Sequence, residues 1–224
     1  MTAPSFAPII EAARARLAAP ALEARLPQPR SPAELKAVLD DRYLSQMSLR
    51  IFRAGLKHSL VDAKWPAFEE VFNRFELRRV RAMSDEALEA LLADSRVIRH
   101  WGKLKSVRDN AAMMIAVAEE HGSFGAWLAD WPGTDIVGLW EALAKRFSQM
   151  GGNSGPSFLR MVGKDTFILT HSVTAALRHW GACDAPPKNR KDRAAVQVCF
   201  NVWAAETGRP LCQLSLILAA SIEE

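Results

Sequence analysis

Three glycines and a proline fall within Gly151-Gly152-Asn153-Ser154-Gly155-Pro156, the most unusual local feature of this 224-residue chain. Glycine permits left-handed backbone torsions and the close approach of another backbone, and proline fits the first turn of a helix, where its missing amide costs little. Free amides in such a bend and at a helix start form a site for a phosphate oxygen. The alternative is a tight turn between two helices with no ligand, since glycine pairs are common in turns.

The composition limits the partners and the compartment that fit the chain. Lysine and arginine number 29 against 25 acidic residues, a net charge of +4 that is compatible with binding a polyanion but does not demonstrate it. No stretch approaches the roughly 18 apolar residues that cross a bilayer, so we expect no membrane partner. Three cysteines are an odd number, which argues against a disulfide framework and for a reducing compartment. We therefore expect a cytoplasmic protein.

Helices are the elements that must position the bend. Apolar residues recur at helical spacing along most of the chain and strand signals are nearly absent, which predicts an all-α protein of roughly ten helices. Pro66 predicts the start of one helix, and the helix before the bend is predicted to end near Gln149. Residues 1–30 are punctuated by proline and predict a partly flexible N-terminal extension, followed by a helical domain over residues 31–224.

Three blocks of sequence, in order and at compatible distances, resemble a known family. The first is Ala54-Gly55-Leu56 with a helix through Trp65-Pro66-Ala67-Phe68, and the second is Ile98-Arg99-His100 with Gly102-Lys103-Leu104. The third is the glycine-rich bend with the segment that follows it. Together the blocks cover about residues 45–182, and they are similar to the 3-methyladenine DNA glycosylase I family of helix-hairpin-helix DNA glycosylases.

The resemblance implies a two-lobed helical bundle with a helix-hairpin-helix element, which binds duplex DNA containing a damaged base. It also implies an enzyme that hydrolyses the N-glycosidic bond of an alkylated purine, of the 3-methyladenine type, after the nucleotide has swung into a pocket. Hairpin amides would hold the phosphate backbone without reading sequence, and turning out a damaged base costs less than turning out a normal one. The implied phosphate contacts are Gly152, Asn153, Gly155, Ser157 and Lys164, with Arg99 and Lys103 as further cations.

The pocket positions depart from the family pattern. The glutamate that the family carries before the Ala-Gly-Leu block corresponds to Arg50, and the aromatic residue after the block corresponds to His58. Arginine reverses the charge that would favour a cationic base, and histidine offers a weaker stacking surface than tryptophan. Trp65, inside the first block, is the third predicted pocket residue. The alternatives are a salt bridge of Arg50 with a nearby aspartate, an ordinary surface histidine, and a tryptophan that packs in the core.

The sequence identifies no catalytic residue. Helix-hairpin-helix glycosylases generally carry an aspartate in the segment that corresponds to Leu169-Thr170-His171-Ser172-Val173, and this chain has none there. The family that the chain resembles typically lacks this aspartate too. A cationic alkylated purine is already a good leaving group, so its release depends less on proton transfer, which supplies about 10²- to 10⁴-fold where it is needed. Bifunctional helix-hairpin-helix glycosylases use a lysine beside the hairpin, and Gly155-Pro156-Ser157-Phe158 contains none, so the resemblance implies a monofunctional hydrolase without a lyase step. We expect it to act on DNA as a monomer.

The zinc ion that the resemblance implies is not supported by the cysteines of this chain. Cys183, Cys199 and Cys212 are separated by 16 and 13 residues and lack the short ligand pairs of a zinc site. We therefore predict no metal and no cofactor. Two further functions stay open: a DNA-binding module that kept the hairpin and lost the pocket chemistry, and an all-α protein whose hairpin docks another protein.

Overall fold

The computed structural model describes residues 3–223, and all of the regular elements in that range are helical. The all-α prediction is therefore confirmed. The fourteen α-helices are α1 (Ala7–Arg16), α2 (Ala19–Glu23), α3 (Pro32–Ala37), α4 (Asp40–Arg53), α5 (His58–Val71), α6 (Leu77–Arg81), α7 (Asp85–Ala90), α8 (Trp101–His121), α9 (Phe124–Asp130), α10 (Ile136–Arg146), α11 (Ser154–Val162), α12 (His171–His179), α13 (Arg190–Thr207) and α14 (Leu211–Ala220).

Two short 3-10 helices, Asn73–Phe75 and Gly133–Asp135, complete the helical elements in residues 3–223. The helices outnumber the roughly ten that periodicity predicts because α2 and α6 have only five residues each, too few for an apolar repeat. Within the same range, no helix combines the length and the apolar character needed to cross a bilayer.

The chain divides into two compact units. The first comprises the residues up to Pro29, Pro132–Leu139 and the residues from Asp165 onward, and the second comprises Arg30–Trp131 and Trp140–Lys164. The extension over residues 1–30 and the domain over residues 31–224 stay predictions, and residues 1, 2 and 224 lie outside the described range.

In the first unit, α1 packs against α14. Phe6, just before α1, is fully buried, and its ring centroid lies 5.1 Å from that of Trp203 on α13. The carboxylate of Asp165 accepts hydrogen bonds from the amides of Leu211 at 2.9 Å and Cys212 at 2.8 Å. Asp165 therefore caps the first turn of α14, where an anion suits the helix dipole.

The second unit is organised around α4 and α8, which pack on each other and on α9. A Cβ on Gly125 of α9 would lie 2.5 Å from the Leu35 carbonyl oxygen, so only glycine lets α9 approach the backbone of α3 this closely. The buried Tyr43 hydroxyl donates to the same carbonyl at 2.7 Å. These contacts tie α4 and α9 to α3, and α4 and α8 both carry residues of the candidate site.

Candidate nucleic-acid interface

The hairpin comprises residues 147–153, which connect α10 to α11, and the first turn of α11 up to residue 156. It presents main-chain groups to solvent. Gly151, Gly152 and Asn153 are exposed, and Gly152 adopts a left-handed φ of 57°. Within residues 3–223, the amides of Gly151 and Gly152 donate to no other group of the chain. Exposed amides next to a helix start are suitable donors for a phosphate oxygen.

Asn110, in the middle of α8, holds the base of this hairpin. Its side chain is fully buried, its Oδ1 accepts from the Ser148 amide at 2.7 Å, and its Nδ2 donates to the Ser148 carbonyl at 3.1 Å. One side-chain amide thus satisfies both backbone groups of a single residue, as an adjacent strand would. Sequence reasoning assigned no role to Asn110, because the pairing joins residues 38 positions apart.

The hairpin begins earlier than the sequence predicts. The helix α10 ends at Arg146 instead of near Gln149, and Gln149 adopts a φ of 64°. A left-handed torsion is uncommon for a residue with a Cβ and cannot be part of a right-handed helix. The glycine-rich stretch is therefore the second half of a hairpin that starts at Phe147.

Gly155 and Ser157 lie inside the start of α11. Gly155 is buried, and a Cβ there would lie 3.2 Å from the Met150 carbonyl oxygen, so glycine lets the helix start pack against the hairpin. The Ser157 amide donates to the Asn153 carbonyl at 3.1 Å. Asn153, like Gly152, is thus exposed, whereas Gly155 is buried and has a packing role.

The predicted cations differ in how far their charges are already engaged. Lys164 is 8% exposed, and its ammonium donates to the Trp131 carbonyl at 2.7 Å. The Lys103 ammonium donates to the Ala54 carbonyl at 2.7 Å, and burial, with a smaller contribution from Arg50, lowers the pKa of Lys103. Arg99, in contrast, is exposed. Arg99 is therefore the cation of this set that is presented to solvent.

Arg50 lies half-buried on α4, and within residues 3–223 no carboxylate pairs with it. Its Nε is buried and has no hydrogen-bond partner. Burial, followed by the nearby charge of Arg53, lowers the pKa of the Arg50 guanidinium. Arg53 itself pairs with Asp62 at 2.8 Å. A half-buried cation without a compensating anion is unfavourable, so this position favours an incoming acceptor or anion over a second cation.

The two other predicted pocket residues lie on α5. His58 is the first residue of that helix and is exposed. The Trp65 ring stacks on Phe68 and Phe75 at centroid distances of 4.9 and 5.5 Å, and its Nε1 donates to the Ser45 hydroxyl at 3.1 Å. The Trp65 ring is thus engaged in aromatic packing, whereas the His58 side chain is accessible to an external ligand.

The structure does not fit the zinc ion that the resemblance implies. In the described part of the chain, no group of three histidine, cysteine or acidic side chains is placed to hold a metal ion. The three cysteines, all in the first unit, are buried thiols. Burial raises the pKa of the Cys183 and Cys199 thiols, which disfavours the thiolate that a metal requires.

Comparisons with known proteins agree on the fold. A family model described as methyladenine glycosylase matches residues 36–150, just over half of the chain. The structure of 3-methyladenine DNA glycosylase I (TAG) from Staphylococcus aureus is 21% identical, with a TM-score of 0.52 over 62% of this chain and 80% of that one.

A second solved structure is similar over nearly the whole chain. The Methanocaldococcus jannaschii 8-oxoguanine glycosylase/lyase, in complex with a 15mer DNA containing 8-oxoguanine, is 16% identical, with a TM-score of 0.52 over 94% of this chain and 93% of that one. At these identities the likeness to both solved structures concerns the fold.

Proposed function

This chain belongs to the methyladenine glycosylase family, and on that premise we propose which reaction it carries out. Family and fold indicate a DNA-binding glycosylase of base excision repair. We propose more specifically that it is a monofunctional hydrolase that releases an alkylated purine, of the 3-methyladenine type, from duplex DNA. We further propose that it acts as a monomer in the cytoplasm, without a cofactor.

The exposed amides of Gly151 and Gly152 are the observation that carries the proposal. They donate to no other group within residues 3–223, and Asn110 holds the hairpin that presents them. Amide donors bind phosphate oxygens whatever the base sequence, which an enzyme that searches for rare lesions needs. In this proposal Gly152 and Asn153 contact the backbone of one strand, and Arg99 adds a solvent-exposed cation.

The proposed reaction places little demand on proton transfer. Water attacks the sugar carbon C1′, the C1′–N bond breaks, and its electron pair leaves with the base, so a cationic alkylated purine departs as a neutral molecule. The water proton passes to solvent and an abasic site remains. Because the leaving group is already activated by its charge, extrusion into a pocket takes the place of a general acid. His58 is the proposed pocket residue with a ring available to the base, beside Arg50 and Trp65.

Release of methylated bases from DNA tests the proposed reaction. The protein is incubated with duplex DNA treated with a methylating agent, and free 3-methyladenine and 7-methylguanine are measured by chromatography. We expect 3-methyladenine release above the no-protein control, with strand breaks only after alkaline treatment, because a monofunctional enzyme leaves the abasic site intact. Release equal to the no-protein control contradicts the enzyme, and strand breaks without alkali contradict its monofunctional character.

A catalytically inactive DNA-binding module is the second candidate, and Arg50 favours it. A half-buried guanidinium without an anionic partner repels a cationic base. In this case the hairpin still binds DNA, with a negative slope of log affinity against log salt concentration, while base release stays at the control level. Measuring binding and release on the same preparation therefore separates the two candidates.

A further inference from the structure

A groove of about 480 Å³ lies within the second compact unit, and none of its lining residues belongs to the hairpin or to the predicted pocket. Apolar side chains from three elements line it. They are Leu39 at the N-cap of α4, Leu77 on α6, and Ile115 and Ala118 on α8. Leu39 is 69% exposed, more than any other large apolar side chain in residues 3–223. Covering this surface removes apolar area from water, which is favourable.

The charged side chains that line the groove are mainly acidic. They are Asp41, Glu76, Glu119 and Arg78. Three carboxylates and one guanidinium give a net charge of −2, on a chain whose net charge is +4. The groove therefore disfavours a polyanion such as DNA and favours a partner with basic side chains.

The three carboxylates differ in how far the chain already compensates them. Glu76 caps α6 by accepting from two backbone amides of that helix at 3.0 and 3.1 Å. Asp41 lies 3.4 Å from the guanidinium of Arg42. Glu119 is exposed and makes no ion pair and no hydrogen bond within residues 3–223. Glu119 is thus the carboxylate that is available to an incoming cation.

The position of Glu119 is unfavourable within the chain itself. It lies in the last turn of α8, where the carbonyl end of the helix disfavours an anion. The neighbouring Glu120 is compensated by an ion pair with Arg146 at 2.6 Å, whereas Glu119 has no such pair in the described part of the chain. A residue that breaks a local preference without compensation inside the fold is a candidate for an external contact.

We propose that the groove binds a basic segment of a partner protein, in which a leucine-sized side chain enters the groove and a nearby lysine or arginine pairs with Glu119. Alternate residues of an extended chain share one face, so the expected pattern is an apolar residue with a basic residue two positions away. An apolar anchor surrounded by a polar rim is the common arrangement of protein interfaces. The proposal goes beyond the proposed function, because none of the residues assigned to that function lines the groove.

Titration with three synthetic peptides, followed by the NMR signals of the Leu39, Leu77 and Ile115 methyl groups, tests the proposal. The probe is acetyl-Lys-Ser-Leu-Ser-Lys-amide, which places a leucine between two lysines on one face when it is extended. Acetyl-Lys-Ser-Ser-Ser-Lys-amide lacks the anchor, and acetyl-Glu-Ser-Leu-Ser-Glu-amide offers carboxylates to Arg78 instead. We expect the probe to shift all three signals saturably, with a Kd of about 1 mM for so short a peptide. Both control peptides should bind about tenfold more weakly.

Variants of the groove separate recognition from folding. L39A removes the most exposed apolar contact and should weaken binding of the probe about fivefold. E119K reverses the charge and should also weaken it about fivefold, while the Tm rises slightly because a cation suits the carbonyl end of α8. L60A and E89K are the matched controls, since Leu60 and Glu89 are exposed and do not line the groove. Both controls should bind the probe like the parent protein.

Several results would overturn the proposal. One is the absence of saturable shifts with the probe, and another is equal binding of the leucine-free or the acidic peptide. Unchanged affinity in both L39A and E119K would also reject it. Shifts of the same signals on dilution of the protein alone would assign the groove to a second copy of the chain, and shifts caused by a paired DNA duplex would assign it to nucleic acid. None of these measurements depends on base release, so failure of the proposed reaction leaves the test intact.

Discussion

The hairpin and the predicted pocket positions, Arg50, His58 and Trp65, lie in the same compact unit, yet they present different chemistry. At the hairpin, main-chain amides face solvent, and Asn110 holds them from inside. At the pocket positions, side chains carry the chemistry, and Arg50 has no anionic partner within residues 3–223. A main-chain site persists through any substitution that keeps the backbone conformation, whereas a single substitution inverts the charge of a side-chain site. Phosphate binding and base selection can therefore diverge independently in one fold.

The largest expected effect comes from Asn110 and tests whether the hairpin depends on support from α8. N110A removes both hydrogen bonds to Ser148, so the amide and the carbonyl of Ser148 lose their partner. We expect a loss of about 2–4 kcal/mol in the free energy of unfolding and a loss of most DNA affinity. Urea denaturation and binding to a paired duplex measure the two quantities.

Ser106 supplies the control for Asn110, since it is also buried on α8 but donates only to the Lys103 carbonyl of its own helix. S106A should lose less than about 1 kcal/mol and bind DNA normally. If the DNA affinity of N110A equalled that of S106A, DNA binding by the hairpin would not depend on its hydrogen bonds to Asn110.

The next largest effect concerns the backbone conformation of the hairpin itself. At Gly152, where φ is 57°, a side chain costs about 1–2 kcal/mol of strain. We therefore expect G152V to weaken binding about tenfold on every duplex sequence, because the lost contact is to phosphate. G151A is the matched control, since a Cβ there meets nothing within 4 Å and φ is ordinary. A loss confined to some sequences would show that the hairpin reads bases.

Substitutions of Arg50 test the charge of the predicted pocket. R50E introduces an anion where a half-buried cation stands, and R50Q is the neutral control. We expect R50E to raise the release of cationic 3-methyladenine about tenfold over the parent protein, equivalent to about 1.4 kcal/mol, with R50Q in between. Release is measured on methylated duplex DNA by chromatography. Equal release by R50E and R50Q would mean that the charge at this position does not act on the base.

The smallest expected effect concerns His58. H58A should reduce kcat/KM for base release about fivefold while changing DNA affinity less than about twofold, because a pocket residue acts after the duplex is bound. H121A is the control, since His121 is a histidine at the far end of α8, also with an exposed side chain. A parallel loss of binding and release in H58A would assign His58 to the DNA backbone instead of the pocket.

Local patterns predicted the helices well and their ends less well. The long, strongly periodic helices, such as α8, are seen in the sequence, whereas α2 and α6 are too short for a repeat to appear. Pro66 does not open a helix as predicted: it lies inside α5, which begins at His58. On either side of this proline, Trp65 and Phe68 contact the Phe52 ring of α4 at centroid distances of 6.4 and 4.5 Å, so tertiary packing spans the position where the helix lacks an amide donor.

By itself, the amino-acid sequence determined the all-α class, the family and the position of the glycine-rich bend, because helical periodicity, turn residues and family blocks are properties of neighbouring residues. Only the tertiary structure decided that Asn110 anchors the bend, that the Lys164 ammonium is buried on a carbonyl, and that Arg50 lacks an anionic partner in the described range. The physical reason is that burial and hydrogen-bond partnership depend on residues distant in the chain, which no local pattern records.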